Sequence, residues 1–157
     1  MTVDLRGFEY GAEPVLKRRQ WLCDATSAEL GRAVQAVVAV QSRLAALREQ
    51  LVVQAEASTL SPTGHLDPTA RSRALLWLAS LQDRIALAGR ELETLAARRD
   101  EVLQRLRVLQ GQVDALETHR EDAKQEFGAS VAARAATEAD RDWLARRTQQ
   151  VPMGRTS

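Results

Sequence analysis

A seven-residue apolar repeat runs through most of the stretch between Pro68 and Pro152, which contains no internal proline. One column reads Leu78, Ile85, Leu92, Arg99, Leu106, Val113, Arg120 and Phe127. The column three residues on reads Leu81, Ala88, Leu95, Val102, Leu109, Leu116, Ala123 and Ser130. Only Arg99, Arg120 and Ser130 interrupt the apolar character of the two columns. A repeat of seven sustained over many turns predicts a left-handed coiled coil, because 3.5 residues per turn keep one seam facing a partner helix. A weaker repeat precedes it. Leu16, Cys23, Leu30, Val37, Leu44 and Leu51 are all apolar, whereas the companion column taken four residues on (Gln20, Ser27, Val34, Gln41, Arg48, Ala55) is mixed. Val40 and Leu47 widen that stripe on one flank.

The elements follow from these periods and from the breakers between them. Residues 1–13 hold two glycines and no helical period, which predicts an extended or mobile lead. A first helix is expected over 14–58, with Pro14 tolerated in its first turn. The segment 59–67 carries the breakers Pro62 and Gly64 and ends on Asp67, a helix cap placed just before Pro68 at the first helical position. A second helix is expected over 68–147, followed by a frayed tail, 148–157. The prediction is an all-α single domain: two long helices in an antiparallel coiled-coil hairpin, the second longer than the first.

A turn centred near residue 63 predicts that residue i faces about residue 126 − i in such a hairpin. Leu30 then meets the Ala96 region, Leu44 meets Gln82, Leu51 meets Leu75, and Ser27 meets Arg99. The first helix runs out opposite residue 112, which leaves roughly 35 residues of the second, about 50 Å at 1.5 Å per residue. This overhang is expected to expose Val113, Leu116, Phe127 and Val131. Lone helices are marginal in water, so it calls for a cover: the N-terminal segment folded back, a second copy of the chain, or another protein.

Composition changes this picture little. The 22 basic and 21 acidic residues leave a net charge of +1, which argues against a dedicated nucleic-acid binder and against electrostatic docking on acidic membranes. One cysteine, Cys23, forbids an intramolecular disulfide and fits a reducing compartment. No signal-peptide-like or membrane-spanning apolar run exists, so a soluble, cytoplasmic protein is expected. The only histidines, His65 in the turn and His119 at a flank of the second seam, have no metal-ligand spacing. Gly89, Gly111 and Gly128 sit singly within the second helix rather than in a phosphate-binding loop, and read as tolerated positions on an exposed face. Glu101 with Arg105, and Asp142 with Arg146, read as four-apart surface pairs. No catalytic, cofactor or metal site is expected, and the chain reads as a non-enzyme.

Two segments stand out. LKRRQWLCD carries Lys17, Arg18, Arg19 and Trp21, and RDWLARR carries Arg141, Trp143, Leu144, Arg146 and Arg147. In the predicted hairpin both lie toward the end away from the turn. Tryptophan and arginine are the residues most enriched at interface hot spots, so these are candidate partner-binding residues. Leu60, Leu66 and Trp77 form a second candidate contact at the turn.

With its short lead, basic first-helix start LKRRQWLCDATSAELGRA, brief break and longer Arg-, Gln- and Ala-rich second helix, the chain resembles the FliJ/YscO family of type III secretion and flagellar export proteins, including their plant-pathogen Hrp branch. The proline-containing break SPTGHLDP and the long overhang depart from that pattern. The resemblance implies a cytoplasmic stalk at the cytoplasmic face of a secretion apparatus, with a role in protein export and virulence. Its paired helix ends would insert into a hexameric export ATPase, and it would also contact the export gate or substrate chaperones. Lys17, Arg18, Arg19, Arg141, Arg146 and Arg147 are then the ATPase-facing residues. The competing expectations are a scaffolding coiled coil that homo-oligomerises through the overhang, and a secretion chaperone or adaptor that works through the tip near His65.

Overall fold

The computed structural model describes residues 5–59 and 67–149. The architecture is all-α, with two helices packed against each other as a hairpin: α1, Glu13–Thr59 (47 residues), and the longer α2, Pro68–Gln149 (82 residues). The start of α2 is the predicted cap. Asp67 Oδ1 accepts the Thr69 N–H at 3.0 Å, and the Asp67 carbonyl accepts the Arg71 N–H at 3.1 Å. The central residues of the predicted turn, with Leu60, His65 and Leu66, lie outside the described residues.

By its contacts the chain divides into two compact units, Trp21–Gln110 and the combination of the N-terminal 20 residues with Gly111–Ser157. In the first unit the core is a cluster of Leu44, Leu47, Leu81 and Ala88, with Leu51, Ile85 and Leu92 packed against it. Val37, Val40, Val102 and Leu106 are buried as well. The companion column of α1 is therefore Thr26, Ala33, Val40 and Leu47 (Ala33 half-buried, the others buried), three residues on from the leucine column rather than four. Val40 and Leu47, expected to be flankers, are seam residues only 6% exposed. Val34, Gln41 and Arg48 of the expected column face solvent. The reason lies in the side chains: Ala, Val and Leu make a better seam than Val, Gln and Arg.

The register also differs from a hairpin closed at residue 63. Arg43 pairs with Glu91, where about residue 83 was expected, and Glu29 bridges Arg98 and Arg105, each at 2.9 Å. Leu51 packs on the cluster that contains Leu81, while Leu75 is 58% exposed. Ser27 does not meet Arg99: Ser27 is exposed, Arg99 bonds its neighbour Asp100, and the buried polar residue is Thr26. A slide by one heptad returns apolar positions to the seam, so packing alone selects the register weakly. Flanking charge pairs such as Glu29 with its two arginines help distinguish one register from the next.

The second unit has a different construction. Leu16, on the first turn of α1, is fully buried. Residues 5–12 are not a loose lead. Residues 5–8 form a turn closed by Phe8 N–H to the Leu5 carbonyl, 3.1 Å, with Gly7 at φ 88° in its third position. That position of a type II turn demands positive φ, which glycine accepts without a steric cost. The turn delivers Phe8 and Tyr10 onto α2. The Phe8 and Phe127 rings meet edge to face at 5.6 Å, and the Tyr10 hydroxyl lies 3.3 Å from the Leu116 carbonyl and 2.9 Å from His119 Nδ1. The N-terminal segment is thus a strap on α2.

Candidate partner-binding surface

The strap changes which part of α2 is uncovered. Val113, Leu116, Phe127 and Val131, expected to be exposed, are all half-buried. Glu13 reaches Arg120 at 3.6 Å and Gln20 donates to Glu117 at 3.1 Å, so α1 pairs with α2 beyond the expected limit at 112. Phe8 then covers Phe127. Arg120 occupies a seam position and its Nε is buried without a hydrogen-bond partner, a local cost of about 1–3 kcal/mol for an unsatisfied polar group. What stays uncovered is 132–149, where every residue is exposed.

On this stretch Trp143 is 54% exposed, and the Arg147 guanidinium sits 5.1 Å from the centre of its ring, a cation–π contact. Arg146 Nε donates to the Asp142 backbone carbonyl at 3.1 Å rather than to its carboxylate, and Arg105 is drawn to Glu29 rather than to Glu101. Neither expected four-apart pair forms as such.

The two basic segments do not form one site. Glu13 and Gln20 fix the level of Lys17, Arg18 and Arg19 near residues 117–120 of α2. Arg141 lies roughly 20 residues further on, about 30 Å away at 1.5 Å per residue. Lys17 makes an ion pair within its own helix, to Glu13 at 3.9 Å; Arg18 is exposed and Arg19 half-buried. Trp21 is 67% exposed and belongs to the other unit. Near the turn, Trp77 is 49% exposed. Gly128 is buried, not on an open face as expected, whereas Gly111 is exposed with open space where a Cβ would stand.

Elsewhere the electrostatics are local. The Glu29 carboxyl is held below its ordinary range, first by the hydrogen bond from Arg105; desolvation opposes this, and the charges of Arg105 and Arg98 with the Arg98 hydrogen bond add to the lowering. Among the described residues no cluster of His, Cys, Asp or Glu is arranged to hold a metal ion, and no helix is long and apolar enough to cross a membrane.

Hydrophobic periodicity does not reveal Leu5, Phe8 and Tyr10, although another signal exists. The chain has two phenylalanines and one tyrosine. Two of these three lie in the lead, and the third lies on the part of the α2 seam that α1 is too short to reach. No protein-family model, curated protein or solved structure matches the chain significantly.

Proposed function

We propose that the protein is a non-enzymatic stalk or accessory protein of a type III secretion export ATPase, docking into the hexamer through the end of α2 and contacting export-gate or chaperone partners. One observation supports this above the others. Beyond Val131, the last half-buried residue of α2, the exposed remainder, 132–149, carries Trp143, Arg146 and Arg147 at its end. The likeness to FliJ/YscO proteins in helix lengths and composition supplies the partner class. Of the two basic segments, Arg141, Arg146 and Arg147 fit the role better than Lys17, Arg18 and Arg19, which lie beside the paired helices. A scaffold assembling through 113–131 would first have to displace the strap.

The test is direct binding of the full chain to a purified hexameric secretion ATPase. Charge reversal at Arg141, Arg146 and Arg147 together is expected to weaken binding by roughly a hundredfold, on the scale of hot-spot losses. Binding that is absent, or indifferent to the reversal, sinks the stalk reading.

A further inference from the structure

The strap does more than cover the seam. In the unit Trp21–Gln110, Arg43 with Glu91 and Glu29 with Arg105 set residue i of α1 level with about residue 133 − i of α2. In the other unit Glu13 with Arg120 gives the same offset. A slide of α1 by one heptad toward the turn changes it to 126 − i, the register of a hairpin closed at residue 63. The seam accepts both. After the slide Leu47 and Leu44 come level with Leu78 and Leu81, Val40 with Ile85, Val37 with Ala88 and Leu30 with Leu95. Thr26, a buried polar residue, moves from the level of Leu106 to that of Arg99, a polar break in the α2 seam. The chain between Thr59 and Asp67 is long enough for either offset, since an extended chain reaches about 3.3–3.6 Å per residue.

The contacts of the N-terminal segment fit only one of the two registers. In the second, Phe8 exchanges Phe127 for Arg120, Tyr10 exchanges Leu116 and His119 for Leu109 and Gln112, and Glu13 exchanges Arg120 for Val113. In the other unit the slide disturbs exposed charges. Arg43 exchanges Glu91 for Arg84, and Glu29 keeps Arg98 but exchanges Arg105 for Glu91. Those exchanges also favour the observed register, but exposed pairs contribute little.

We propose that the strap is a register lock: while Phe8 and Tyr10 hold α2, α1 keeps the observed register, and on release of the strap it slides one heptad to the second. α1 is one unbroken helix from Glu13 to Thr59, so it slides as a whole. The slide carries its turn end about 10 Å along α2, at 1.5 Å per residue. One element ratcheting past another between two packed positions is a discrete switch rather than a continuous deformation. Displacement of the strap from 113–131 is thereby delivered to the turn end of α1 as movement. Both registers keep residues 81–106 of α2 paired with α1, so the helical amides there stay protected.

Disulfide trapping in the full chain, with Cys23→Ala and no ATPase present, reads the register independently of the stalk reading. Ala88→Cys is the common reporter. Leu44→Cys, its neighbour in the core cluster, pairs with it in the observed register. Val37→Cys comes level with it only after the slide, and Leu30→Cys in neither register. A disulfide needs the two Cα atoms within about 7 Å, so the pairs discriminate. With the strap intact only the Leu44→Cys pair is expected to cross-link readily. Phe8→Ala with Tyr10→Ala should speed cross-linking of the Val37→Cys pair roughly tenfold or more, on the scale of two lost aromatic contacts, and leave the Leu30→Cys pair slow. A Val37→Cys pair indifferent to the strap variants overturns the inference. So does equal acceleration of the Val37→Cys and Leu30→Cys pairs, which would mean that the helices separate instead of sliding.

Discussion

The two units of the chain solve the same problem with different materials. In the unit Trp21–Gln110 both helices contribute a long seam, and leucine, valine and alanine fill it. In the other, α1 supplies only its first turns. There the rest of the cover is a glycine-turned strap, with Tyr10 packed at Leu116 and His119 and Phe8 at Phe127 beyond Arg120. A seam repeats its contact every seven residues, so no single layer is unique. A strap concentrates its hold in a few aromatic contacts, and each one matters locally. With few buried apolar contacts to hold it, the strap is expected to open before the long seam does.

That contrast can be broken most forcibly at Leu81, which is fully buried in the shared cluster. Leu81→Ala is expected to cost about 2–5 kcal/mol by loss of transfer energy and creation of a cavity. Urea denaturation followed by circular dichroism would register it; a loss under about 1 kcal/mol would mean that the seam relaxes to fill the gap.

Phe8→Ala should act on the strap alone. Phe8 is half-buried, and its edge-to-face contact with Phe127 is worth about 0.5–1.5 kcal/mol beyond burial. Amide hydrogen exchange should speed up around residues 116–131 and remain unchanged around 81–106. Equal acceleration in both stretches would show the strap and the long seam to be one cooperative structure.

The smallest effect is expected at Glu29. Its carboxyl is held below the ordinary value of 4.5, chiefly by Arg105. A depressed folded-state value contributes stability above the ordinary pKa that is lost as the pH falls through the depressed one. The wild type should therefore exceed Glu29→Gln slightly in urea midpoint at pH 7 and lose that margin in acid. A margin independent of pH would assign the effect to packing instead of charge.

Much of the long seam is legible in the chain's own pattern. Columns at spacing seven identify α2, and Asp67 with Pro68 marks where it begins. The α1 seam is half legible: its leucine column stands out, but the choice between a companion three or four residues on needs a comparison of Ala33, Val40 and Leu47 with Val34, Gln41 and Arg48. The strap is not legible from periodicity, because Phe8 and Tyr10 belong to no repeat and find their places only through a turn at Gly7. For the candidate surface, Trp143 and its neighbouring arginines are visible as a cluster. Their separation from Lys17, Arg18 and Arg19 is not.

By itself the sequence determined that this chain makes two long helices, where the second begins and that it is the longer, because helix propensity, caps and heptad spacing are local properties. Tertiary structure alone decided the register between the helices and the strap's place on α2. A heptad seam is nearly indifferent to a slide of one repeat, so the choice falls to contacts between residues far apart in sequence, such as Glu29 with Arg98 and Arg105 and Phe8 with Phe127.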